Sequence, residues 1–162
     1  MYKSHGLTLV ELMVVLAIVA ILATLATPSF ARLIQSTVIS SNVNAFLADM
    51  RVARSESIRR GGGVIMCRSD APEAANPDCG RDAGPGGNGW VSGWIIFHDL
   101  DNDAAKGPAE ALLRVQAPIT SMNAITDGNA ITTKMRFTAT GRLLQPGAAT
   151  TLLFGARPVF AA

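Results

Sequence analysis

Charge is scarce in this chain of 162 residues: 16% of the side chains are Asp, Glu, Lys or Arg, and the formal net charge is +2. No polybasic or polyacidic block dictates a nucleic acid or any other charged partner. Histidine occurs twice and cysteine twice. Cys67 and Cys79 form no CxxC pair and have no neighbouring histidines, which makes them a poor zinc site. A disulfide closing a short loop is the better reading if the domain lies outside the cytosol, the other being two unrelated buried thiols. No serine or cysteine stands in a recognisable nucleophile motif, so the chain reads as a non-enzyme with no cofactor. At this length one ordinary domain plus an appendage fits, and two comfortable cores do not.

What the chain does have is apolar side chains, 49% of the total, and much of that excess is concentrated before Pro28. From Leu7 to Ala31 the one ionisable side chain is Glu11, inside "LTLVELMVVLAIVAILATLATPSFA", a run long enough to cross a bilayer. A carboxylate near the centre of a spanning helix costs roughly 3 kcal/mol, less toward the interface, so an intramembrane acid calls for a partner. A secretory signal peptide and a plain uncleaved anchor with Lys3 on the cytoplasmic side both fit the run. Neither explains Glu11.

"HG" followed by "LTLVELMVVLAIVAILATLATPSF" resembles the class III leader and N-terminal helix of type IV pilins and type II secretion pseudopilins. The resemblance implies that a prepilin peptidase cuts after Gly6 on the cytoplasmic side, that Leu7, where the family most often has Phe, is N-methylated, and that the apolar segment is retained. Cleavage would place a new α-amine four residues before Glu11, on the same helix face, where the two could pair within one chain. In a fibre, the family resemblance implies a neighbouring subunit's amine as the partner of Glu11, neutralising its charge and setting axial register.

Pro28 lacks an N–H and crowds the preceding turn, which predicts a kink near Thr24. Beyond it Ile39, Val43, Phe46, Leu47, Met50, Ala53 and Ile58 recur at spacings of three and four, the mark of one apolar helix face. "GGG" at Gly61–Gly63 ends that helix. The period then changes: "VIMCR", "WIIFH", "ALLRVQA", "AITTKMRFTA" and "TTLLFGA" read as strands separated by Gly, Pro, Asn and Asp. The expected fold is α+β and pilin-like: a long kinked N-terminal helix, half transmembrane and half amphipathic, packed on an antiparallel sheet of four or more strands. The expected divisions are a leader over 1–6, a transmembrane helix over 7–31, an amphipathic helix over 32–60 and a periplasmic sheet domain over 61–162. Residues 69–88 read as an irregular loop tied by the cysteines.

Four further patterns invite chemistry. "GPGGNG" formally matches a dinucleotide fingerprint but lacks the strand before it and the helix after it, and reads as a loop. Asp99, Asp101, Asp103 and Glu110 occupy positions 1, 3, 5 and 12 of a calcium-loop register, yet Ala104 stands where glycine is wanted and strands flank the segment, which favours a solvated turn. His98 and Asp99, adjacent on a strand, point to opposite faces and make a poor acid–base pair. Arg51, Arg54, Arg59 and Arg60, with Arg68 and Arg81, could contact DNA if they form one patch; the plainer reading is a solvated face balanced by Asp49 and Glu56.

"DMRVARSESIRRGGGVIMCRS", "GWVSGWIIFHDLDND" and "MRFTATGRL" extend the resemblance to the GspH/FimT branch over nearly the whole chain. The role this implies is a minor pilin or pseudopilin that helps to initiate a fibre. The implied partners are other pilins, the prepilin peptidase, an inner-membrane assembly platform and membrane lipid, with a fibre-displayed DNA receptor as the alternative. In some FimT-type proteins a C-terminal Gly-Arg-x-Arg segment is associated with DNA uptake; here the last stretch reads "FGARPVFAA" and Gly141–Arg142 belongs to an earlier element. The implied location is the bacterial inner membrane, single-pass, with the C-terminal part in the periplasm.

Overall fold

In a computed structural model, residues 8–127, 133–144 and 151–157 are described, without the side chains of residues 25–29. Thr8 opens helix α1 (Leu9–Arg60) by accepting the Glu11 amide on its hydroxyl at 3.3 Å and the Leu12 amide on its carbonyl at 3.2 Å. Thr8 and Glu11 stand at the two positions of a capping box, a helix-start signal in the residues themselves. Glycine closes the same helix: the Gly62 amide bonds back to the Ser57 carbonyl at 2.8 Å, and Gly61 takes φ +79. That six-to-one bond over a left-handed glycine satisfies carbonyls the last turn would otherwise leave open. The helix assignment runs unbroken past Pro28.

The chain divides between Thr37 and Val38 into two compact units. In the first, Leu9, Val10, Met13, Leu16 and Ile21 are each more than half exposed. Among the described residues no helix is long and apolar enough to cross a membrane; the run expected to do so includes Leu7 and the side chains of 25–29, which lie outside the description.

The second unit carries the β-structure. Strands β1 (Val64–Arg68), β2 (Trp94–His98), β3 (Leu112–Gln116) and β5 (Lys134–Phe137) form one antiparallel sheet in the order β3-β2-β1-β5. A separate antiparallel pair joins β4 (Met122–Thr126) to β6 (Leu153–Ala156). The α+β expectation therefore holds, with two sheets where one was expected and with β4 as a strand the sequence patterns missed. The strand expected from "AITTKMRFTA" runs over Lys134–Phe137; Thr133, Thr138 and Ala139 flank it outside the strand, and residues 128–132 lie outside the description.

Alternation along β1 and β2 sends side chains to two covered faces. Val64, Met66, Trp94 and Ile96 join the main core with Phe46 and Ala53 of α1. Ile65, Cys67, Ile95 and Phe97 form a second buried cluster that Cys79 and Ala104 help to cover. At the centre of the main core the Phe46 ring meets Trp90 at 5.4 Å, Trp94 at 5.0 Å and Phe154 at 6.0 Å, all edge to face, a geometry aromatic quadrupoles favour. The helix stripe differs from expectation at two positions, for Leu47 and Ile58 are exposed. Asp49 and Ser57 are buried instead, because each has a fixed partner: Asp49 accepts the Trp94 indole N–H at 2.9 Å, and the Ser57 hydroxyl donates to the Thr138 carbonyl.

Candidate functional site

The first region the sequence marks is the start of α1. Gly6 and Leu7, the expected cut and methylation positions, lie outside the described residues. Glu11 is described, exposed and in the first helical turn, where unsatisfied amides carry partial positive charge and favour an acid by about 0.3–1 kcal/mol. The Pro28 side chain lies outside the description, and with it the expected kink.

The cysteines form a disulfide, with Sγ atoms 2.10 Å and Cα atoms 5.5 Å apart. It fastens the loop after β1 onto the second hydrophobic cluster. Arg68, grouped by sequence with a basic surface, is instead 1% exposed. Its guanidinium meets Asp70, the Ser92 hydroxyl at 3.1 Å and Asp82 at 3.3 Å, and a Cβ on Gly80 or Gly84 would collide with it. A buried cation needs such partners. Arg68 and the disulfide thus clamp the irregular loop at adjacent residues of β1.

The acidic segment after β2 is likewise pinned inward. Asp99 is 5% exposed, pairs with Arg136 and accepts the amides of Asn102 at 2.8 Å and Ala104 at 3.2 Å. Carboxylate oxygens of Asp99, Asp101 and Asp103 lie within 4.8 Å of one another. Glu110, expected as the twelfth position of a calcium loop, is occupied elsewhere, accepting the amides of Leu100 at 2.7 Å and Gly107 at 2.8 Å. Ala104 adopts φ +60, the left-handed turn for which that register prefers glycine. His98 ends β2, and Asp99 is committed to Arg136. "GPGGNG" forms a 3-10 turn over Pro85–Gly87 and leads into a second over Trp90–Ser92, a loop as expected.

The arginines of the helix end separate into two groups. Arg59 and Arg60 both bind Glu56, at 2.6 and 2.8 Å. The hydrogen bond from Arg59, then that from Arg60, lowers the Glu56 pKa to about 2. Arg51 and Arg54 instead line an open cleft of about 450 Å³ with Leu47, Met50, Phe137, Gly141, Arg142 and Leu143. Asp49, expected to balance this basic face, is buried and pairs with Arg114 from β3. Sequence periodicity missed Asp49, Arg68 and Asp99 as structural charges; the Asn and Asp turn chemistry around Asp99 was the available signal.

Two family patterns match the chain. The one described as "Type II transport protein GspH" covers residues 42–158, and the one described as "Prokaryotic N-terminal methylation motif" covers residues 1–27. No curated protein and no solved structure matches it.

Proposed function

Because the chain belongs to the GspH family of type II transport proteins and begins with the N-terminal methylation motif, we propose that this minor pilin or pseudopilin helps to initiate or cap a fibre. The fibre is a type IV pilus or a type II secretion pseudopilus. The observation that carries this reading is the coexistence of the two matches on one chain, the motif over the helix start and the family domain over the β-rich unit. The family is one of membrane-anchored structural subunits assembled into fibres. Cutting after Gly6 by a prepilin peptidase would free the amine of Leu7 for methylation and retain the apolar segment.

Residues 7–31 then serve as a single inner-membrane span, the β-rich unit lies in the periplasm, and an assembly platform draws the helix into the fibre. Two observations support this arrangement. The side chains of Leu9 to Leu22 present apolar surface that nothing in the described chain covers, the surface that lipid or neighbouring helices would take. The Cys67–Cys79 disulfide suits an oxidising compartment.

Glu11 is the register mark in this reading. Thr8 caps its turn, which orients the backbone but leaves the carboxylate without an ion-pair partner among the described residues. The amine of an adjacent subunit would neutralise it. Glu11→Ala should leave the chain in the membrane fraction and remove it from sheared fibres, as read by immunoblotting both fractions. Undiminished incorporation of that variant would refute the pairing.

A further inference from the structure

We propose that the cleft between the end of α1 and the turn after β5 is a docking site for an acidic, leucine-bearing segment of a neighbouring protein subunit. Its carboxylates would be taken by Arg51, Arg54 and Arg142. The proposal rests on the fibre-subunit reading and adds the chemistry of one contact to it.

Most other arginines in the β-rich unit have acids of their own. Arg59 and Arg60 share Glu56, Arg68 has Asp70 and Asp82, Arg114 has Asp49, and Arg136 has Asp99. Arg51, Arg54 and Arg142 have no ion-pair partner among the described residues, which include all twelve Asp and Glu side chains. These three cations converge on one cleft with an apolar lining. Its floor includes Phe137, 4% exposed, and its walls Leu47 and Leu143, 40% and 42% exposed.

The cleft is held by local structure. The Thr138 amide donates to the Arg142 carbonyl, and the Gly141 amide to the Thr138 carbonyl, each at 2.8 Å. Gly141 has φ +72, and a Cβ there would lie 2.9 Å from Cγ of Arg54 and from Cδ1 of Ile58. The turn therefore sits directly on the helix and carries Arg142 to the same cleft as Arg54. Such close seating requires glycine.

Guanidinium forks pair with carboxylates and phosphates alike, so the lining decides between partners. An apolar centre with a charged rim is the anatomy of a protein contact. Single-stranded nucleic acid would call for exposed aromatic rings on which bases stack, and among the described residues the one ring lining this cleft, Phe137, is buried. A peptide that presents leucine to the floor and glutamates to the rim satisfies both halves of the site.

The test uses the full chain in detergent micelles and fluorescence anisotropy. The probes are a labelled helical peptide with two glutamates one turn apart beside a leucine, the same peptide with glutamines, and a random-sequence DNA duplex. The glutamate peptide should bind about tenfold more tightly than the glutamine peptide. Arg142→Glu and the pair Arg51→Glu with Arg54→Glu should each abolish that difference without changing the melting temperature, whereas Arg81→Glu, outside the cleft, should leave it intact. Failure of the glutamate peptide to bind, or equal binding of the two peptides, overturns the proposal. So does retention of the DNA alone with loss in the same variants, which would make the cleft a nucleic-acid interface. Fibre incorporation of the unaltered chain is scored in parallel: its presence with no peptide binding defeats the cleft alone, and its absence defeats the fibre reading.

Discussion

At Asp49 the apolar stripe of α1 admits a carboxylate and buries it to 1% exposure. The cost of desolvation is offset by the Trp94 indole N–H at 2.9 Å and by Arg114, which reaches in from a half-exposed position. Asp49→Ala would leave the indole N–H of a fully buried tryptophan without its acceptor, at about 1–3 kcal/mol; the measurement is the urea midpoint with m unchanged. Glu56 provides a contrast on the same helix. The hydrogen bonds from Arg59 and Arg60 hold its pKa at about 2 against an ordinary 4.5. A lowered acid pKa stabilises the folded chain fully above the ordinary value, and that contribution is lost as pH falls from about 4.5 through about 2. An NMR titration of the Glu56 carboxyl carbon should show its midpoint near 2, and Arg59→Ala with Arg60→Ala should return it to the ordinary range.

At the scale of elements, β1 and β2 work because both of their faces are covered, one by α1 and the other by a loop with no regular core of its own. That loop is held at consecutive residues of β1, by the Cys67–Cys79 disulfide and by Arg68. Closing a loop with a sequence separation of 12 restricts the unfolded chain by about 3 kcal/mol in the entropic account. Cys67→Ser with Cys79→Ser should lower stability by about that amount in chemical denaturation, and the loss should show first as faster amide exchange over residues 69–89, since the loop then loses its covalent tie to β1. An unchanged exchange pattern would mean that the non-covalent contacts, those of Arg68 among them, suffice. The cysteine spacing and the Pro- and Gly-rich composition made this loop legible. Arg68 was not, because nothing local distinguishes an arginine that ends a strand inside the protein from one that ends it in water.

At the scale of the whole molecule, the members of the main core, from Val38 and Ile39 through Phe46 to Ala156, all fall within Val38–Arg157. A chain lacking residues 1–37 should therefore fold with the near-UV circular dichroism of the Trp90 and Trp94 cluster retained, as a cooperative unit in thermal melting. Loss of that signal would show that the first half of α1 is needed for the core.

Residue order alone determined the parts that depend on local period and local chemistry. The apolar run with its single acid, the glycine stop at Gly61–Gly63, the five expected strand segments and the paired cysteines can all be read without a neighbour in space. The family likeness adds Gly6, Leu7 and Glu11, none of whose proposed roles depends on the fold of the β-rich unit. Tertiary structure decided the rest, because burial and pairing are long-range. Met122–Thr126 is too mixed in polarity to announce a strand, and pairs with β6 in a second sheet. Leu47 and Ile58, apolar in sequence, turn outward, while Asp49 and Ser57 turn inward to partners 45 and 81 residues away. The arginines are alike as letters; only the fold assigns acids to five of them and leaves Arg51, Arg54 and Arg142 around one apolar cleft, since a charge acquires its meaning from what the chain brings within a few ångströms of it.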